Sequence, residues 1–199
     1  MAPSFTELLK KRRSIYNLGN RTTLPENEIS ALIKDAVKYT PSAFNSQSAR
    51  IVILFGAQNQ KLWQITREAL AAVVPADKFA PTAQKIASFA AGSGSVLFLD
   101  DTQTVKELQE KFPLYRDNFP VWAEQANGMA QLAVWTALAE AGIGASLQHY
   151  SLLIDEAVKK EWQLPESWKL IAQMPFGSIE APAGEKSFLP IEERVLIKN

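Results

Sequence analysis

The sequence predicts a mixed fold in which helices and strands alternate around an apolar core. Three observations carry this. The chain has 199 residues, the size of one domain or two at most. Apolar residues make up 47% and charged residues 21%, so enough apolar surface exists to offset chain entropy, and disorder as the main state is excluded. An unbroken apolar run of strand length at 51–55, and a second strand-length segment at 95–99 in which Ser95 precedes four apolar residues, stand among segments with helical periodicity.

The elements follow in order. Ser4-x-x-Glu7 is a capping box ahead of Phe5, Leu8 and Leu9, which predicts a helix to about Arg12. Thr23-Leu24-Pro25-Glu26 opens a second helix, with Pro25 in a first turn that needs no amide donor and Glu26 and Glu28 at the positive helix end. Ile29, Leu32, Ile33, Ala36 and Val37 continue it until Pro41 forces a stop near Thr40. Residues 51–55 read as a strand buried on both faces. Residues 58–74 and 77–91 read as helices divided at Pro75, and 95–99 as a second buried strand. Asp101 or Thr104 caps a helix to Lys111. Pro113 and Pro120 bracket a loop carrying Leu114, Tyr115 and Phe119. Residues 121–141 read as a long helix, apolar nearly all round and therefore buried, closed by Gly142. A short strand at 143–147, a helix near 155–162 and a strand near 169–176 follow. A Pro/Gly-bearing tail from Ile179 ends in an apolar strand at 194–197 with no obvious local partner. Trp63, Trp122, Trp135, Trp162 and Trp168 read as core. No internal repeat or low-complexity segment is visible.

Composition removes several function classes. The 21 Lys+Arg balance 21 Asp+Glu, which argues against broad nucleic-acid or acidic-membrane binding. There is no cysteine, so disulfides, thiolate nucleophiles, thiolate zinc sites and Fe–S clusters are excluded, and the chain fits the cytoplasm. The single histidine, His149, excludes His-rich metal sites. The longest apolar stretch, 129–147, is interrupted by Gln131, Glu140, Gly142 and Gly144 and falls short of a membrane span. The N-terminus lacks a basic start followed by an apolar core, so no secretory signal is read there.

Three segments are candidates for chemistry, each with an ordinary alternative. Lys10-Lys11-Arg12-Arg13-Ser14 is either a solvated helix end that complements the helix dipole or a phosphate clamp, since guanidinium forks suit phosphate oxygens. The run 41–48, Pro-Ser-Ala-Phe-Asn-Ser-Gln-Ser, is either a self-satisfied loop or a set of amides and hydroxyls able to read a uracil-like ring edge. Leu147-Gln148-His149-Tyr150 is either structural or a loop that presents backbone amides to a ligand. No carboxylate neighbours His149, so a catalytic triad has little support. The glycines at 92–94 and at 142 and 144 precede strands rather than helices, the wrong order for a nucleotide loop. Asp100-Asp101 reads as a helix cap in preference to a metal site.

Taken together, Arg12-Arg13-Ser14, the Pro-Ser-Ala-Phe-Asn-Ser-Gln run at 41–47, Gly-Ile-Gly-Ala-Ser-Leu-Gln-His-Tyr at 142–150 and Glu185-Lys186-Ser187 resemble the nitroreductase family over nearly the whole chain. The particular forms of the loops are similar to a smaller subgroup of fungal and bacterial members. The resemblance implies an α+β fold, a central, mostly antiparallel sheet flanked by helices, in an intertwined homodimer with FMN at the interface. It implies one domain over 1–199 whose tail, from about 179, reaches the partner subunit. Arg12, Arg13 and Ser14 would meet the FMN phosphate and pyrimidine side, and Lys186, followed by Ser187, the phosphate. Pro41, Ser42, Ala43, Asn45 and Gln47 would reach the flavin from the other subunit. Gln148 and His149 would face the ring system near N5. Phe44, Tyr115 and Phe119 would meet the substrate. Tyr16 is counted with the cofactor-binding residues although a basic residue is common at that position, and a second departure from the family pattern is Ser48-Ala49, where Pro-Trp is common.

The function implied is NAD(P)H oxidation coupled to reduction of nitroaromatics, quinones or similar small acceptors by a two-electron, ping-pong scheme, with flavin N5 in place of a catalytic side chain. A flavin-holding redox sensor with incidental turnover and a flavin-free binding module are the alternatives.

Overall fold

The computed structural model describes residues 3–198. A five-stranded sheet forms its middle layer, and every strand pairing in it is antiparallel. The helices are α1 (Phe5–Lys11), α2 (Glu26–Lys38), α3 (Gly56–Ala71), α4 (Phe79–Ala90), α5 (Thr102–Lys111), α6 (Asn118–Glu140) and α7 (Ser151–Trp162). The strands are β1 (Leu18–Gly19), β2 (Ala49–Phe55), β3 (Gly94–Asp101), β4 (Gly144–Ala145) and β5 (Trp168–Ile179). β2, β3 and β5 lie side by side in that order, and β4 and β1 add to the outer edge of β5.

The period of two in β3 explains the layers. Val96 and Phe98 point to one face, where Ile29 and Ile33 of α2 and Val134 and Leu138 of α6 cover them. Leu97 and Leu99 point to the other, under Leu62 and Trp63 of α3, Phe89 of α4 and Ile154 and Val158 of α7. All four β3 side chains are fully buried. A bulge in β5 at the Phe98/Leu99 step sets Ile171 outside the regular register. Helix α7 meets that irregularity: Ser151 Oγ donates to the Ile171 carbonyl at 2.7 Å, and Asp155 Oδ1 accepts from Leu170 N at 2.7 Å.

The capping box at Ser4 and Glu7 is formed, and Asp101 caps α5 by accepting from Gln103 N at 3.1 Å. Gly142 follows α6 with φ 74°, a left-handed position that suits glycine.

Several expectations are corrected. β2 is an edge strand with a neighbour on one side only, so of its apolar residues just Leu54 is buried and the rest are half-exposed. Pro25 is the cap residue of α2 rather than part of its first turn. α6 begins at Asn118 and absorbs Phe119 and Pro120, since proline is tolerated in a first helical turn. α6 is not buried all round: Val121, Met129 and Leu132 are 52%, 43% and 42% exposed. The strand expected over 143–147 shrinks to Gly144–Ala145 plus a bridge between Gln148 and Gln173. Residues 194–197 form no strand, because none of the described residues offers them a ladder; a single 3-10 turn, Ile191–Glu193, precedes them. Of the five tryptophans only Trp63 is buried, and the others are half-buried.

Candidate functional site

The residues singled out in the sequence gather in separate places. The first is the end of α1. Arg12 terminates the helix, and its guanidinium carbon lies 4.2 Å from the centroid of the Trp135 ring on α6. Arg12 Nε is buried and has no hydrogen-bond partner. Burial, with a smaller push from the neighbouring Arg13 charge, lowers the Arg12 pKa from its ordinary value. Arg13 Nη2 donates to the Gly184 carbonyl at 2.6 Å, which folds the tail back over this helix end. Ser14 sits in a parallel bridge with Ala145, and Ile15 N donates to the Ala145 carbonyl at 2.9 Å. Arg12, Arg13, Ser14, Tyr16 and Lys186 thus line one cavity of about 420 Å³. Ser187 does not line it. Cationic forks, an ammonium, a hydroxyl and a buried donor without an acceptor form a donor set that suits an anionic group such as a phosphate.

The turn after β4 is held by one residue that sequence reading missed. Gln173 of β5 is fully buried. Its carbonyl accepts from Gln148 N at 2.7 Å and its amide donates to the Gln148 carbonyl at 2.9 Å. Its side-chain Oε1 accepts from Tyr150 N at 2.8 Å, and Nε2 donates to Ser151 Oγ at 3.0 Å. The amides of residues 148 and 150 are therefore occupied, while that of His149 meets no acceptor among the described residues. The His149 side chain is exposed, whereas Gln148 is buried with its Nε2 on Ser146 Oγ at 3.1 Å.

The third place is the loop 41–48. Ser42 Oγ accepts from Gln47 N at 2.9 Å, and a 3-10 turn spans Ala43–Asn45. Phe44, Asn45 and Gln47 all have positive φ, at 55°, 51° and 49°. Non-glycine residues there cost about 1–3 kcal/mol each and cluster at functional positions. Pro41, Ser42 and Gln47 line a pocket of about 200 Å³ with Ala126 and Ala130 of α6. The left-handed turn throws Phe44 outward, 50% exposed, against Phe112, Tyr115, Phe119 and Trp122, with ring centroids 4.8, 5.8, 5.3 and 6.1 Å away. The structure thus brings Phe44, Tyr115 and Phe119 together and adds Phe112 and Trp122. Phe119 is 2% exposed and forms the floor of this wall, while Phe44 and Tyr115 form its open surface.

Beneath the loop, Asp100 is 5% and Ser48 1% exposed, and neither Asp100 Oδ1 nor Ser48 Oγ has a hydrogen-bond partner. Burial raises the Asp100 pKa, with the Asp101 and Glu124 charges adding to it, while the Arg50 charge pulls the other way. A carboxyl that binds its proton more tightly in the folded chain stabilises the fold below its unfolded pKa of about 4, and that contribution is lost as pH rises through the folded value. Asp100→Asn, which does not titrate, is therefore expected to be more stable than wild type at pH 8, with the advantage shrinking toward pH 4. Urea midpoints of both proteins across that range check this; a pH-independent difference would exclude it.

Within one chain the loop 41–48 and the Arg12 cavity stay apart. No residue of 41–48 lines that cavity, and none of its residues lines the Ser42–Gln47 pocket. The sheet explains why: Gln148 and β4 lie on the outer edge of β5, and the loop feeds β2 at the opposite edge. Among the described residues no group of three or more His, Asp or Glu side chains could hold a metal ion, and no helix is long and apolar enough to cross a membrane.

Comparison with known proteins adds three findings. The profile of the nitroreductase family matches residues 9–178. Among solved structures, the nitroreductase CinD from Lactococcus lactis in complex with chloramphenicol superposes with a TM-score of 0.91 at 51% identity, covering 98% of this chain and 100% of that one. The same protein in complex with 4-nitrophenol gives 0.90 at 50% identity over the same shares of the two chains. Among curated sequences, the protein named putative nitroreductase HBN1 of Saccharomyces cerevisiae is 36% identical over 190 residues, 94% of this chain and 93% of that protein. Nitroreductase FRM2 of the same yeast is 32% identical over 195 residues, 95% and 96% of the two chains.

Proposed function

Since the chain belongs to the nitroreductase family and has its fold, an oxidoreductase of that type, we propose that it binds FMN, oxidises NADH or NADPH and reduces nitroaromatics or quinones. The observation that carries this reading is the Arg12 cavity, with Arg13, Ser14 and Lys186 beside a buried Arg12 Nε that lacks an acceptor. A flavin bound there supplies the hydride and electron chemistry, so the protein needs no nucleophile, metal or catalytic acid.

The chain's own groups divide the work. Arg12, Arg13 and Lys186 neutralise the phosphate, and Ser14 adds a neutral donor. The His149 amide, left open between two amides tied to Gln173, would donate to the ring system near N5. Pro41, Ser42, Ala43, Asn45 and Gln47 offer hydroxyl, amide and backbone groups to its polar edge. Phe44 and Tyr115 offer an apolar surface on which an aromatic acceptor can stack. The complex of CinD with 4-nitrophenol supports a nitroaromatic as the acceptor class.

The two halves of the site lie on opposite edges of one sheet, so a homodimer is the assembly that brings them together. Exposed apolar residues support this reading: Val121, Met129 and Leu132 on α6, and Phe188, Leu196 and Ile197, 74%, 76% and 82% exposed, on a tail proposed to reach the partner. The lack of cysteine suits a reducing cytoplasm.

The absorption spectrum of the purified protein, before and after NAD(P)H, tests the proposal. A bound flavin that bleaches with NAD(P)H and recovers with a nitroaromatic supports it; a colourless protein that takes up no FMN refutes it. If donor and acceptor share one face, double-reciprocal plots give parallel lines, and intersecting lines overturn that order. His149→Ala is expected to keep most of the flavin reduction rate in stopped flow, because the backbone and not the imidazole faces N5. A loss of about 10²-fold or more, the range of an essential acid or base, would make the imidazole catalytic.

A further inference from the structure

We infer that Arg50 and Asp101 form a positioning pair that sets the backbone of Gln47 and couples the polar loop 41–48 to the aromatic wall. Arg50 is the second residue of β2. Its Nη1 donates to the Gln47 carbonyl at 2.6 Å and to the Ala49 carbonyl at 3.2 Å, and its Nη2 donates to Asp101 Oδ2 at 2.9 Å. A guanidinium manages this because its nitrogens are fixed in a fork; an ammonium on one partner leaves the other. Gln47 needs the tether, since its φ of 49° is a conformation that a glutamine rarely adopts unaided.

Asp101 carries the connection onward. Its Oδ1 accepts from Gln103 N at 3.1 Å and its Oδ2 from Thr104 Oγ1 at 3.2 Å, which fixes the start of α5. Its own amide donates to the Ser48 carbonyl at 2.9 Å. Helix α5 presents Val105 and Leu108 to Phe112, Phe119 and Trp122. Those three rings hold Phe44, which belongs to the same loop as Gln47. The connection is therefore a closed circuit: Gln47, Arg50, Asp101, α5, the aromatic wall, Phe44. In the proposed site, Gln47 would meet the polar edge of the cofactor and the aromatic wall would meet the acceptor.

The pair is part-buried, with side chains 29% and 14% exposed, so breaking it carries a cost in stability that lies between that of an exposed and a buried ion pair. Its loss should change what the loop presents while leaving the protein folded. The effect on FMN rests on the flavin reading above; the clamp on Gln47 does not.

Arg50→Ala, Arg50→Lys, Asp101→Asn and the double variant Arg50→Ala/Asp101→Asn test this in the full chain. Asparagine keeps the helix cap of α5. Two readouts are followed: hydrogen exchange of amides 42–48 without added flavin, and FMN titration with the visible spectrum of the bound form. Arg50→Ala is expected to speed exchange over 42–48, to weaken FMN binding about tenfold and to shift the bound spectrum, with a lower Tm but the protein still folded. Arg50→Lys should restore only part of this. The double variant should be no worse than Arg50→Ala, because both changes break one circuit. Unchanged exchange in Arg50→Ala overturns the clamp whether or not flavin binds. Faster exchange with wild-type FMN affinity and spectrum overturns the link to the cofactor. If wild type binds no FMN, the flavin reading fails and the exchange data still decide the clamp.

Discussion

Replacing Arg12 with alanine is expected to weaken FMN binding by about tenfold or more, with the protein still folded. A hydrogen bond to a charged group contributes roughly 1.5–3 kcal/mol, and each 1.4 kcal/mol is about tenfold in affinity. Arg12 is also pre-placed: its guanidinium rests on Trp135, so little side-chain freedom is lost on binding. Burial works in the same direction, because a half-buried cation without an acceptor gains more from an arriving anion than a solvated one does. Lys34→Ala is the control, an exposed cation on α2. Fluorescence titration of the three apoproteins with FMN measures the difference. Equal affinity in Arg12→Ala and Lys34→Ala would remove the phosphate clamp.

Gln173→Leu is expected to lower stability by about 1–3 kcal/mol and to slow flavin reduction, although Gln173 touches no ligand in the proposed scheme. Leucine fills nearly the same volume but accepts nothing, so Tyr150 N loses its acceptor and Ser151 Oγ loses a donor. The backbone pairing with Gln148 survives, so the bridge stays while the turn beyond it loosens. The His149 amide would then wander relative to N5. For a chain of this size each kcal/mol moves Tm by about 2–4 °C. Gln64→Leu, on the surface of α3, controls for the change of residue type. A Tm and a stopped-flow reduction rate equal to those of the control would show that the turn holds itself.

What could be read from the sequence was local. Ser4 with Glu7, Asp101 before α5 and Gly142 after α6 act within a few residues, and all three took their expected roles. The residues 95–99 stood out because a central strand needs apolar side chains on both faces. Residues 51–55 have the same pattern, yet β2 lies at an edge, and nothing in a strand's own residues says how many neighbours it will have. β1 escaped notice because Leu18 and Gly19 become a strand only through Ile179 and Ser178. The helical reading of 121–141 was sound in type, but α6 takes in Phe119, and that start places the ring under Phe44. Gln173 falls within the strand read near 169–176 and Arg50 just ahead of the one read over 51–55, and nothing local marks either of them. Their roles exist only through partners at 148–151 and 101, and no spacing rule connects those positions.

The opposite-edge placement of the Arg12 cavity and the Gln47 loop has a genetic corollary. If each site takes one edge from each copy, a defect in Arg12 and a defect in Gln47 damage different contributions. In a mixed pair made of one copy of each kind, one site inherits both defects and the other inherits neither. Two alleles, each inactive alone, would then complement each other inside a single molecule, while two alleles hit at the same edge never could.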